Sequence, residues 1–293
     1  MPSVSVIIPV YRAEKFIVRS VTSLFAQTFT DWEAIIVSDD KFDYQKFLAK
    51  HNITDKRLRF GSTGKVGSGP SNARNIALDM AKSNIIATLD ADDTFDKRKL
   101  AMTVPMAEKY GMVVSNIRVI DDETNEKLQN LHYSTLTRVI KYNELLAITS
   151  YTHSTIVFKK PKKTIYYTDK VNYCEDLLFM SQIYDHSSRC FYFRHKLHNY
   201  YLHKDSLCQV QDSYKNFSRD RSLLISMLKK HEVHIKNKTT RDMLISFLQA
   251  GYEINKKYGR EVFSYERYLI ELKKYCTFLP ISSRLKFNTT THP

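Results

Sequence analysis

The residues best suited by type and spacing to do chemistry are Asp90, Asp92 and Asp93, three carboxylates within the stretch Asp90-Ala91-Asp92-Asp93. They close an apolar, β-forming run, Asn84-Ile85-Ile86-Ala87-Thr88-Leu89, short enough to be a strand buried on both faces. Open α/β sheets place their ligands at the carboxyl ends of their strands. Side chains two apart on an extended chain point the same way, so Asp90 and Asp92 are expected to converge on one target. Neighbouring anions repel one another unless a cation sits among them. A hard divalent ion, Mg2+ or Mn2+, suits such oxygen ligands and completes its shell with substrate phosphates. The plain alternative is a solvated acidic turn, and for an isolated triplet it is the better one. The flanking sequence decides between them.

The elements that must position these acids read as alternating strands and helices. Residues 3–11 form a buried first strand that Pro9, unable to donate to a ladder, is expected to stop. Residues 14–27 carry apolar side chains at helical spacing, and residues 32–37 return to strand before Ser38-Asp39-Asp40, a second acidic strand end. A helix over 43–51 and a strand over 57–60 lead into a loop, residues 61–70, holding four of the seven glycines. Glycine lets backbone approach a ligand closely, but the loop lacks the Gly-Lys-Ser/Thr ending of a P-loop. Ser71 is the expected cap of the next helix, which carries Ala73-Arg74-Asn75. Beyond the acidic stretch come a helix over 97–110 and a strand over 112–120. The cluster Asp121-Asp122-Glu123 reads as a solvated hairpin, and a strand-like segment over 152–160 includes His153. Tyr173-Cys174-Glu175-Asp176 heads a further helix, where acids complement the helix dipole. Phe191-Tyr192-Phe193 reads as the last strand. Helical stripes of Leu, Met and Phe with intervening Lys and Arg follow from about residue 214.

The opening strand Ser5-Val6-Ile7-Ile8-Pro9-Val10-Tyr11, the turn Ser23-Leu24-Phe25-Ala26-Gln27-Thr28, the strand ending at Asp39, Ala73-Arg74-Asn75 and Asp90-Ala91-Asp92-Asp93 occur in that order. This series resembles the family 2 glycosyltransferases of the GT-A fold. The resemblance implies an α/β, Rossmann-like nucleotide-diphospho-sugar transferase domain over residues 1–210, its nucleotide half 1–97 and acceptor half 98–210, with a helical extension over 211–293. It implies that Asp39 accepts a hydrogen bond from the base, usually uracil, and that Pro9 and Tyr11 line the nucleoside pocket. Arg74 would face the donor, Asp90 and Ala91 the ribose or sugar, and Asp92 the Mn2+ or Mg2+ that bridges the phosphates. Asp93 would act behind the metal or cap the next helix. Asp176 would be the catalytic base of an inverting displacement, and Glu175 would support the acceptor or the loop. In Tyr200-Tyr201-Leu202-His203-Lys204-Asp205-Ser206, similar to the family's closing His-x-x-Ser element, His203 would contact phosphate or complete the metal shell, and Lys204 would meet phosphate. The chain departs from the family pattern at Arg12, at Asp40-Lys41-Phe42-Asp43 and at Tyr201, where Asn, Gly-Ser-Thr-Asp and Arg are usual.

Bulk composition fits this picture. With 293 residues, 43% of them hydrophobic and 12% aromatic, the chain can build a substantial core. It has no run of eighteen apolar residues and begins almost directly on a strand, so neither a membrane span nor a signal peptide is expected. Four scattered cysteines suit a cytoplasmic protein with reduced thiols. The net charge of +14 calls for an anionic partner. No nucleic-acid-binding motif accompanies it, so the anionic inner face of the membrane is the expected surface partner, while the resemblance implies a nucleotide-sugar donor and a glycan or lipid-linked glycan acceptor. Two rival readings are a basic nucleic-acid-binding protein and a degenerate GT-A module that binds saccharide without turnover.

Overall fold

The computed structural model describes residues 1–128, 136–149, 155–203, 213–258 and 271–279. The chain opens as β1 (Val4–Val10), α1 (Ile17–Phe25), β2 (Trp32–Ser38), α2 (Tyr44–Lys50), β3 (Leu58–Ser62), α3 (Pro70–Met80) and β4 (Ile85–Thr88). It continues through β5 (Thr94–Phe95), α4 (Lys99–Tyr110), β6 (Met112–Asp121), β7 (Arg138–Ile140), α5 (Tyr142–Thr149) and β8 (Val157–Lys159). Then follow α6 (Glu175–Ser187), β9 (Cys190–Leu202), α7 (Ser213–Lys229) and α8 (Lys238–Tyr258). His153, Lys204 and Cys208 lie outside the described residues.

The strands form one mixed sheet in the order β3-β2-β1-β4-β8-β6-β9-β5, with β7 pairing β9. Strands β1 to β4 run parallel, and β1, β2 and β4 are mostly apolar because both of their faces are covered, whereas β3 at the edge is only partly buried. Alternation along β1 divides the core. Val4, Val6, Ile8 and Val10 pack with α1, α2 and α4, while Ile7 faces α3 and α5 to α8. Strand β8 is antiparallel to β4 and β6, and β9 runs parallel to β6 across a register shift at Asn116.

Strand β1 is central and fixes the site. The Ile7 carbonyl accepts from Leu89 N at 3.1 Å and the Val10 carbonyl from Asp39 N at 2.8 Å. The ends of β2 and β4 therefore flank β1, at the position where such sheets open a ligand crevice. Pro9 does not stop the strand. It pairs with Val37, and its nitrogen faces the β4 side beyond the last β1–β4 pair, Ile7 with Thr88, so no ladder bond is lost.

Other expectations are corrected similarly. Ser71 is not a cap: Gly69, at φ +99°, holds that position, Pro70 opens the helix, and the Ser71 hydroxyl is buried without a hydrogen-bond partner among the described residues. The last strand runs on through Tyr200 and Tyr201 to Leu202 because β6 pairs it along its length. The Gln-Thr turn has a structural purpose. Gln27 donates to Asp96 O at 2.9 Å and accepts from Leu100 N at 3.0 Å, satisfying an orphan donor in the first turn of α4.

Lys99 is fully buried, donating to Ser115 Oγ and the Thr155 carbonyl, and burial pulls its pKa down to about 7. The unfolded chain thus binds more protons than the native one between about pH 7 and 10, so stability gains with rising pH there. Lys99→Met removes this dependence. Denaturant titrations of both proteins should show wild type gaining on the variant from pH 7 to 10, and a pH-independent gap would sink the assignment.

Candidate active site

The acidic loop does not run extended; it turns, with Asp93 N donating to Asp90 O at 3.2 Å. Its backbone is tied down from α1, where Ser20 Oγ donates to Asp90 O and Arg19 donates twice to Asp92 O, at 2.8 and 3.1 Å. The carboxylates consequently have separate partners. Asp90 Oδ1 meets Arg74 at 3.0 Å, and Asp92 Oδ2 meets His203 Nε2 at 2.9 Å. Ala91 lies between them, 8% exposed. Asp93 is no helix cap: it is buried, takes the His198 ring at 2.7 Å and accepts from Tyr201 N at 3.0 Å. Burial, with Asp92 and Asp90 nearby, pushes the Asp93 pKa well up, while burial and Lys99 pull His198 down. Asp93 thus joins the acidic loop to β9, and so to His203 just past its end.

Arg74 joins the two acidic stretches. Its other arm donates to Glu175 Oε1 at 3.0 Å, so one guanidinium spans Asp90, just past the end of β4, and Glu175 on α6. Burial opposes its charge, but Asp90, Tyr167, Glu175 and Asp176 outweigh burial and raise its pKa. Burial raises the pKa of Asp90, with Asp92 and Asp176 adding to it and Arg74 opposing. The neighbours in Ala73-Arg74-Asn75 have their own tasks. Ala73 is small enough to bury completely, and Asn75 exchanges two hydrogen bonds with the Tyr167 backbone, at 2.8 and 2.9 Å. This seats the Tyr167 ring between Arg74, 5.3 Å away, and Phe179, against which it stacks at 3.8 Å.

Asp176 occupies the first turn of α6 and takes Leu177 N at 2.7 Å. It acts electrostatically on Asp90, Arg74 and Tyr167, which puts it in the same cluster. Cys174 precedes the pair in a left-handed conformation, and burial pushes its thiol up to about 12. A protonated buried thiol is a poor nucleophile.

Asp39 is 3% exposed and organises the glycine loop. Its Oδ1 accepts from Thr63 Oγ1, Ser68 N and Ser68 Oγ, and its Oδ2 from Gly69 N at 2.8 Å. A carboxylate has about four acceptor positions, so Oδ2 retains one. Tyr11 is exposed beside this loop, and Pro9 lies two residues before it in β1. Arg12 sits at φ +50°, its N–H donating to Asp40. Burial raises the Asp40 pKa, but donors from Arg12, Tyr44, Phe42 and Ser38 outweigh it and leave the carboxyl below its ordinary range.

Asp92 and His203 are a pair that could hold a divalent ion. They meet at 2.9 Å, so the carboxylate and the imidazole could each supply a ligand to one ion. Among the described residues no third His, Cys, Asp or Glu completes a metal cluster, so the remaining positions suit phosphate oxygens and water.

The sequence reading missed Arg19 and misplaced Asp122. Asp122 is no solvated hairpin acid: its side chain is 14% exposed and pairs with Arg19. The Arg19 guanidinium also lies 3.8 Å from the Tyr201 ring, where the family pattern has an arginine. The available signal was position, since Asp122 follows the carboxyl end of a strand parallel to β4.

The model of Glycosyl transferase family 2 matches residues 5–186. A β-1,3-glucosyltransferase of Escherichia coli, WfgD, named for transfer from UDP-Glc to α-D-GlcNAc-diphosphoundecaprenol, is 33% identical over 123 residues, 41% of this chain and 48% of that protein. The poly(ribitol-phosphate) β-N-acetylglucosaminyltransferase TarS of Staphylococcus aureus is 26% identical over 199 residues, 64% of this chain and 34% of TarS. The chain thus spans less than half the length of these curated relatives. In fold it resembles the TarS 1–349 crystal structure with UDP-GlcNAc, at TM-score 0.69 and 16% identity over 94% of this chain and 81% of that one. A mannosyltransferase of Pyrobaculum calidifontis, in complex with GDP-Man and Mn2+, gives 0.58 at 15% identity, covering 95% and 86%. The fold is GT-A, with a helical C-terminal region. Matched by that family model over more than half of its length, the chain belongs to glycosyl transferase family 2.

Proposed function

We propose that this protein is an inverting glycosyltransferase that moves a sugar from a UDP-sugar to a hydroxyl of a glycan or lipid-linked glycan. The observation that carries the reading is Arg74, whose single guanidinium joins Asp90 to Glu175 and so brings donor-side and acceptor-side acids into one site. Residues 1–210 would form the catalytic domain and 211–293 the helical extension. The nucleoside would lie along Pro9 and Tyr11, with its base N–H received by the remaining Asp39 position. Asp90 and Ala91 would contact the ribose or sugar.

Asp176 takes the proton from the attacking hydroxyl as the new bond forms. Glu175, fixed by Arg74, holds the head of α6 in place. Asp92 and His203 would hold Mn2+ or Mg2+, which supplies positive charge to the departing diphosphate. Arg74 adds a nearby positive field without leaving its two carboxylates. Uridine and an undecaprenyl-linked or polymeric acceptor are favoured by the activities for which WfgD and TarS are named. Sixteen Lys and Arg against eight Asp and Glu in residues 211–293 favour peripheral contact with an anionic membrane. Among the described residues no helix is long and apolar enough to cross one.

The test is calorimetry with UDP, GDP, dTDP, ADP and CMP, each with Mn2+ or with EDTA. UDP should bind best, and Asp92→Ala should lower its affinity in Mn2+ by about tenfold or more, to the level of wild type in EDTA. Equal binding by variant and wild type in Mn2+ would remove Asp92 from the metal site. Preference for another nucleotide would change the donor class.

A further inference from the structure

Helix α7 lies outside the residues matched by the family model, yet it reaches the loop that delivers Glu175 and Asp176. Asp220 on α7 is 1% exposed. Its Oδ2 accepts two consecutive backbone N–H groups, Asn172 at 2.9 Å and Tyr173 at 3.1 Å, and its Oδ1 accepts from Arg219 Nε at 2.8 Å. The next residue is Cys174, in the left-handed conformation at φ +65°, and α6 begins directly after it with the two acids. A left-handed L-residue persists only where its surroundings hold it. Asp220 is the group that grips the backbone on its amino-terminal side.

Residues three and four apart share one face of a helix, and α7 uses that face as a unit. Phe217 packs against the Tyr173 ring at 4.2 Å, and Arg221 donates to the Gly251 carbonyl at 2.9 Å, fastening α7 to α8. On the other side of the gripped loop, the Asn172 side chain abuts Gly69 of the glycine loop, 3.3 Å from where a Cβ would stand. Asn172 and Tyr173 are thus fixed between the donor-side loop and the extension, and Arg74 receives Glu175 two residues further on.

We propose that Asp220 is a positioning residue for sugar transfer, and that the helical extension sets the placement of the general base. The inference rests on the reading of Asp176 as that base. A buried carboxylate accepting two adjacent amides fixes both the direction and the height of the chain entering α6. Without it the left-handed turn can relax and Asp176 moves relative to the acceptor hydroxyl.

Asp220→Ala, Asp220→Asn and Asp176→Asn are compared with wild type in Mn2+, using UDP affinity, kcat, donor KM and the kcat–pH profile. Asp220→Ala should bind UDP within about twofold of wild type while kcat falls roughly 100-fold, the cost of misplacing a reacting group by about 1 Å. The acidic limb of its kcat–pH profile should move, because the surroundings of Asp176 change. Asp220→Asn should recover part of the rate, its amide oxygen serving the two N–H groups. A wild-type kcat in Asp220→Ala, beside an inactive Asp176→Asn, overturns the positioning role alone. A fall in kcat with an unmoved profile and no recovery in Asp220→Asn overturns it too. An active Asp176→Asn enzyme overturns the base assignment and this inference with it. If Asp220→Ala does not fold, Asp220→Asn decides. Its NH2 group faces Arg219, so a kcat loss restored by adding Arg219→Ala is expected, and an unchanged kcat and profile overturns the proposal.

Discussion

Asp176→Asn should lower sugar transfer by about 100- to 10,000-fold, the contribution of a positioned general base, while UDP binding in Mn2+ stays within about twofold. The substitution keeps shape and removes basicity, so the donor half of the site, built on β1, β2 and β4, is left intact. Asparagine can also retain the acceptor role toward Leu177 N, so the head of α6 should stay folded. Transfer rates at saturating donor, measured beside calorimetric UDP affinity, check both halves of the expectation. A variant that keeps wild-type kcat would move the base elsewhere. A variant that loses UDP binding in parallel would point to a folding defect.

Arg74→Met is the change with the largest expected effect on stability. It removes the guanidinium from Glu175, whose side chain is 7% exposed, and from Asp90 at once. Removing one member of a buried pair costs about 3 to 5 kcal/mol, because the charge left behind cannot be solvated. The pH dependence has a definite sign. An unpaired buried carboxylate has a folded pKa above its unfolded value, so the native variant binds extra protons and loses stability as pH rises. Denaturant midpoints should therefore lie far apart for variant and wild type at pH 7 and approach each other toward pH 5. Arg74→Lys should rescue little, since an ammonium cannot reproduce the two-armed geometry. A gap that stays constant with pH would mean that lost packing, and not a stranded charge, dominates.

The parts of the fold legible in the sequence are those where local pattern and global burial agree. The runs of β1, β2 and β4 are apolar because each is covered on both faces, and their ends named Asp39 and the acidic loop. What escaped were pairings across long sequence separations. Nothing local to Arg19 marks it as the clamp on Asp92, because its partners Asp122 and Tyr201 arrive from β6 and β9. Asp220 is a single acid in a basic helix, and its partners lie 47 and 48 residues earlier. Pro9 misled for a different reason. A proline blocks a ladder only where a neighbouring strand reaches it, and strand ends are a tertiary property.

The grip of Asp39 on the glycine loop has a consequence for how tightly and how selectively a nucleotide can be held. Segment 63–69 is secured by Asp39 through four donors, so a nucleoside bound there as proposed would find a wall that needs no folding. Ordering a flexible loop on binding would spend affinity on lost chain entropy, which a wall already rigid retains for the contacts themselves. The same rigidity makes the pocket intolerant: a larger base cannot be accommodated by the loop stepping aside without breaking a buried, multiply bonded anion. If Asp39 reads the base as proposed, base discrimination would be a property of backbone stiffness as much as of that hydrogen bond.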